Sequence, residues 1–180
     1  MKKVLYIILI VSLTLNIALI YKHTENAKSL NITWSNALFV LNSTLTAFNL
    51  EPVDNRYEPT LNQTRIGLNQ LTFRLENLRT LPQGYLIVSP EIISKVFEVT
   101  NYENKLLDKI ENDLKKSNTI SHTDYEEIDK LNKAWSKVSD TLQKETNKIH
   151  PLVFRVEQWK MVLDKTTNEL NGLELLPLTE

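Results

Sequence analysis

The chain has 180 residues, 21 basic and 22 acidic side chains, a formal net charge of −1, no cysteine, three glycines and six prolines. The near-neutral balance gives no reason to expect nucleic acid or an anionic surface as a partner. The missing cysteines exclude a disulfide scaffold, a thiol nucleophile and a lipid-modified thiol. Few chain breakers with abundant Leu, Lys, Glu and Asn point to long helices, so the expected class is all-α.

The first element is the uncharged apolar run over residues 4–21, VLYIILIVSLTLNIALIY, behind Met1-Lys2-Lys3. About 18 apolar residues at 1.5 Å each are roughly what a bilayer core requires. The run is long for a cleavable leader, and neither a cut after Ala18 nor one after Ala27 leaves small residues at both recognition positions. The reading is an uncleaved signal-anchor, with a cleaved leader as the alternative. Lys2 and Lys3 favour a cytoplasmic N-terminus and an extracytoplasmic bulk, a single-pass cell-membrane protein of bacterial type. Ser12 and Asn16 share one face of this helix and are the candidates for contact with another membrane helix. The plainer alternative is a long helix that tolerates a few mildly polar residues.

Residues 22–180 form the second expected domain, a water-facing antiparallel bundle or coiled-coil-like stack of four to five helices. The first, over about 25–50, carries the stripe Leu30, Trp34, Ala37, Leu41, Leu45 and Phe48. Nothing between Tyr21 and Glu25 must break a helix, so span and stripe form one rod of about 68 Å or bend at His23-Thr24. The proline-bounded linker 51–59 is expected to be an extended loop. A second helix over 60–81 follows Leu61, Leu68, Leu71, Leu75 and Leu78, ended by Pro82 and Gly84. Tyr85-Leu86-Ile87-Val88 is then expected to plug one end of the core.

The third helix, 90–117, has a strong start: Ser89 as cap, Pro90 in the first turn and Glu91 against the dipole. Its stripe is Ile92, Ile93, Val96, Val99, Leu106, Ile110 and Leu114. The fourth opens with Thr123-x-x-Glu126 as a capping box. Its stripe runs through Ile128, Leu131, Trp135, Val138, Leu142, Ile149, Leu152, Val156, Trp159, Leu163 and Leu170. The phase across Pro151 favours one helix over 123–171 with a kink. Length opposes it, because such a helix would be nearly twice its neighbours and overshoot the bundle; a turn at Pro151 is the alternative. Gly172 is the expected C′ residue, and the apolar tail 173–178 is expected to strap onto the bundle.

Chemistry is thin. No Gly-rich phosphate loop, HExxH or other metal pair occurs, and no Ser-His-Asp order rises above chance. The expectation is therefore no enzyme, no catalytic, cofactor-binding or metal residue, and no cofactor. His122 reads as a loop residue beside the cap. The three N-x-S/T sequons, at Asn31, Asn42 and Asn62, are what this composition gives by chance. Trp34, Trp135 and Trp159 lie on apolar stripes and read first as core; Trp34 and Trp159, with Leu163, are also the candidates for a pocket or partner surface. A cytoplasmic tail of three residues carries no output domain, so the expected role is a membrane-anchored interaction or scaffold module of the cell envelope. Its partner would be another protein or a second copy. The alternative is an extracytoplasmic sensor or small-ligand binder that signals through a membrane partner.

Overall fold

The computed structural model describes residues 2–46, 58–117 and 119–175, with the side chains of 2–9 and 58–60 left out. Its elements are α1 (Lys2–Thr46), α2 (Glu58–Leu78), α3 (Gly84–Ile87), α4 (Pro90–Ser117), α5 (His122–Thr146) and α6 (Val156–Asn168). Among the described residues there is no strand, and the helices pack as one bundle. Most of the linker expected over 51–59 lies outside the described residues, as does Leu176 to Leu178 of the tail. Pro59 falls in the first turn of α2, a position that needs no backbone N–H.

α1 is one uninterrupted helix of 45 residues, because no glycine or proline occurs before Pro52. Its hydroxyls do not compete with the helix: those of Thr24, Thr33 and Thr44 each donate to the carbonyl four residues back. Ala27, Asn31, Trp34, Leu38, Leu41 and Leu45 are its buried face. Residues 10–23 carry no buried side chain. Among the residues whose side chains are described, no helix is long and apolar enough to cross a membrane; residues 4–9 of the expected span fall outside that set.

From α1 the chain alternates direction. α1 and α5 are antiparallel, linked through Asn42 and Ser139 (2.7 Å) and through Asn31 and the Pro151 carbonyl (3.0 Å). α2 and α4 are antiparallel through Arg65 and Asp108 (2.6 Å). α6 lies against α5, α4 and α3. One end of the bundle, the near end, therefore gathers the exit of α1, the α2–α3–α4 connection and the α5–α6 turn. The α4–α5 loop lies at the far end.

α4 begins where its signals put it, with Ser89 Oγ accepting from the Ile92 N–H. The α2–α4 connection requires close approach: a Cβ on Gly84 would lie 2.3 Å from the Leu78 carbonyl oxygen. The left-handed residue there is Gln83, with φ 66°. Tyr85 and Leu86 point outward, whereas Ile87 and Val88 are fully buried, so only half of the expected plug fills the core.

Four expectations are corrected. The cap of α5 is Ser121, whose Oγ accepts from the Asp124 N–H (3.1 Å); Thr123 and His122 already lie inside the helix. The predicted kinked helix over 123–171 is two helices. α5 closes at Asn147 with tight turns from the Lys148 and Ile149 N–H groups to the Glu145 and Thr146 carbonyls. Pro151 then offers no N–H and biases His150 out of the helical region. The heptad phase across this turn is fortuitous, since Leu152 faces solvent. α2 ends at Leu78, three residues before the predicted Leu81. Finally, α6 ends at Asn168 with Glu169 as its C-cap, and Gly172 does not take a positive φ. The described part of the tail does strap on, with Leu173 and Leu175 packed against the core and Lys130 Nζ donating to the Glu174 carbonyl.

One side chain carries the turn. The Asn31 amide donates to the His150 (3.1 Å) and Pro151 (3.0 Å) carbonyls, and its Oδ1 accepts from the Trp159 indole N–H (3.0 Å). Trp159 packs on Trp34 at 6.0 Å between centroids, inside the range of favourable aromatic pairs. Trp34 in turn donates to the Pro82 carbonyl (3.1 Å). Asn31→Ala would strand a buried indole N–H and two carbonyls. Denaturant unfolding should show a loss of about 2–4 kcal/mol, against no measurable change for the exposed Asn16→Ala.

Candidate functional site

Ser12 and Asn16 sit on the bare half of α1, both exposed. Around them Ile10, Leu13, Ile17, Ile20 and Tyr21 are exposed on every side of the helix. Among the described residues no other element of the chain covers this segment.

Trp34, Trp159 and Leu163 are in the core, with at most 2% of their surface exposed. Both indole N–H groups are engaged by protein acceptors, so the structure brings the two tryptophans together as packing. Leu163 does not line either of the grooves described below. Asn31, a sequon residue, is buried with both ends of its amide engaged.

Two surface grooves stand out among the described residues. One, between α2 and α4, is flanked by Phe73 and Phe97, 63% and 56% exposed, with Asn69, Asn101 and Asn104 along it. Its floor is closed by the facing hydroxyls of Thr72 and Thr100 (3.4 Å). The other, between α5 and the tail strap, presents Lys130, Lys133 and Lys137 beside Asp129 and Glu169. The two phenylalanines were not singled out from the sequence, because they lie off the apolar stripes and carry no spacing signal of their own. No group of three or more His, Asp or Glu among the described residues could hold a metal ion. His122 forms an exposed contact with Glu126 at 3.3 Å.

The ionisable groups that stand out are structural. Glu103 is buried on α4 and accepts from the Trp135 indole N–H at 2.7 Å. Desolvation pushes its carboxyl up to about 7, against the pull of that hydrogen bond. Its signal was present in the sequence: position 103 is the missing place between Val99 and Leu106 in the α4 stripe. Glu145 fills the corresponding gap in α5 with the opposite result. Hydrogen bonds from Lys148 and Lys165 hold its carboxyl at about 2, and the Lys165 contact, 2.9 Å, ties α5 to α6.

These two acids shift stability in opposite directions. The folded state binds a proton at Glu103 that the unfolded chain has released, so its contribution is full below pH 4.5 and declines as pH rises to about 7. The size is roughly 3 kcal/mol by the conversion of pKa difference to energy. Glu103→Gln keeps an acceptor for Trp135 and should flatten urea-measured stability between pH 4.5 and 7. Glu145 contributes above pH 4.5 and loses its contribution as pH falls toward 2. Glu145→Gln should therefore weaken acid sensitivity below pH 4.5 and leave the neutral slope unchanged.

Comparison of the chain with family models, with curated proteins and with solved structures finds no match.

Proposed function

We propose that the chain is a membrane-anchored, non-enzymatic interaction module of the cell envelope: residues 4–21 span the bilayer once, the N-terminus is cytoplasmic, and the helical bundle stands on the extracytoplasmic side. The observation that carries this reading is the bare half of α1. A run of large apolar side chains over residues 10–21, exposed on all faces of a helix that continues without a break into the bundle, is unfavourable in water. It is favourable in hydrocarbon, where each backbone polar group is already paired within the helix. The charge-free sequence of residues 4–9 continues the same pattern to the length of a bilayer core, and Lys2-Lys3 supports the orientation.

An interaction role follows from what the bundle offers. Its interior is filled by its own tryptophans and leucines, and among its exposed apolar side chains the pair Phe73 and Phe97 flanks a groove with a polar floor. Exposed aromatic groups of this kind are common anchors of protein contacts.

Two measurements test the reading. Full-length chain should remain in the pellet when membranes are washed with alkaline carbonate, and a chain lacking residues 2–21 should appear in the supernatant with the helices of the bundle retained. Recovery of the full chain in the supernatant, or of a chain that begins after residue 21 in the medium, would sink the anchor. Phe73→Asp combined with Phe97→Asp should abolish crosslinks to envelope proteins or to a second copy. Stability should stay within about 0.5 kcal/mol of the parent at these exposed positions.

A further inference from the structure

α1 runs without a break from the exposed apolar segment into the bundle. The face it buries above therefore fixes which way its lower residues point. Five turns of an α-helix take about 18 residues and rise about 27 Å. Ser12, Asn16, Ile20 and His23 thus lie in line with Leu30, Trp34, Leu38 and Leu41. Trp34, Leu38 and Leu41 are buried and Leu30 is half-buried, so the lower four look into the space beneath the bundle. On the other side, Val11, Ala18 and Tyr21 line up with the exposed Ser29, Asn36 and Phe39 and look outward.

One side chain on the inner face lacks what hydrocarbon demands. The Thr14 hydroxyl donates to the Ile10 carbonyl and is satisfied within the helix. Asn16 differs: it is exposed, and no bond to its amide occurs among the described residues. A carboxamide left unpaired in hydrocarbon is costly, and a polar group on a neighbouring membrane helix removes that cost.

A second copy in the same orientation does not fit as that neighbour. A helix packed on this face sits about 8–10 Å from α1, and higher up that place belongs to α5 and α2. A second α1, unbroken to Thr46, would rise into them. With a crossing angle of about 20° the two axes diverge by only about 8 Å between Asn16 and Asn31. At that level the Asn31 amide already holds the His150 and Pro151 carbonyls of the α5–α6 turn. A shorter helix has room. Ala27 is the lowest buried residue of α1, so a helix that turns back within about 9 Å of Tyr21 stays below the bundle.

Resting on the anchored reading above, we infer that the Ser12–Asn16 face binds a transmembrane helix of a different protein. That helix carries a hydrogen-bonding side chain at the depth of Asn16 and turns back at the membrane surface. The bundle roofs the site, admitting short-topped helices and excluding a second copy.

The test uses full-length chain in phosphatidylcholine vesicles. The chain has no cysteine, so Lys22→Cys carries one donor fluorophore. Two synthetic leucine–alanine transmembrane helices carry the acceptor, each with one asparagine at the depth of Asn16. One ends at the headgroups; the other continues on the bundle side as about 20 residues of charged helix. Energy transfer should be strong with the short helix. It should be several-fold weaker with the long one, with a short helix lacking asparagine, and for Asn16→Leu. Moving the amide outward, Asn16→Leu with Ala18→Asn, should restore transfer with both helices. Donor- and acceptor-labelled copies of the parent should show no transfer above chance. Equal transfer with short and long helices means that nothing roofs the face and overturns the inference. So does the absence of transfer with the short helix. Transfer between copies that Asn16→Leu removes gives the face to a second copy and overturns it as well. An Ile17→Cys label that nitroxide-bearing lipid fails to quench removes the anchor itself, whereas quenching there beside any earlier failure leaves the anchor standing.

Discussion

A single carboxamide organises the near end of this bundle. Asn31 joins α1 to chain positions 119 to 128 residues away, donating to two carbonyls of the α5–α6 turn and accepting from Trp159. All of its principal capacity is used in a buried setting, where a satisfied polar group selects one arrangement and an unsatisfied one is costly. The same amide explains why α5 stops. A helix continuing past Thr146 would withdraw the His150 and Pro151 carbonyls and move Trp159 from its place beside Trp34. The polar contact and the aromatic pair thus favour the same path of the chain.

That selection is what periodicity could not supply. The stripes of α1, α2 and α4 were readable because each is long, and α4 also had Ser89 and Pro90 to mark its start. The expected continuity of the fourth helix fails because Leu142, Glu145, Ile149, Leu152, Val156 and Trp159 keep heptad spacing across a turn. Spacing records which residues are apolar and not which way the chain points. Length opposed that continuous helix, which would be nearly twice its neighbours and overshoot the bundle, and the alternative, a turn at Pro151, is the one observed. Capping was misplaced by two residues for a related reason. Ser121 and Thr123 are both acceptable caps, and only the observed bond from the Asp124 N–H to Ser121 distinguishes them.

The two carboxylates in apolar stripes show how far a gap in a pattern can be interpreted. Glu103 and Glu145 each stand where a hydrophobic residue was due. One is drawn inside, where it accepts from an indole N–H; the other stays near the surface with two ammonium groups. Sequence alone marks both as exceptions. Which of them becomes a buried acid depends on the residues opposite, Trp135 in one case and Lys165 in the other, and those neighbours come from tertiary structure. The exposed phenylalanines of the α2–α4 groove were harder still, because surface aromatics off the stripe leave no periodic trace.

The unbroken course of α1 has a mechanical consequence. Thr46 lies 25 residues beyond Tyr21, so a straight rod carries it about 37 Å farther along the axis. With no swivel in between, a lean of about 10° in the lower segment, well within the usual range for single helices in lipid, sweeps the top of the bundle sideways by about 6 Å. Bilayer thinning would displace the whole body toward the surface by the same logic. In the anchored arrangement the molecule is a lever, converting small changes at its foot into larger travel at its crown.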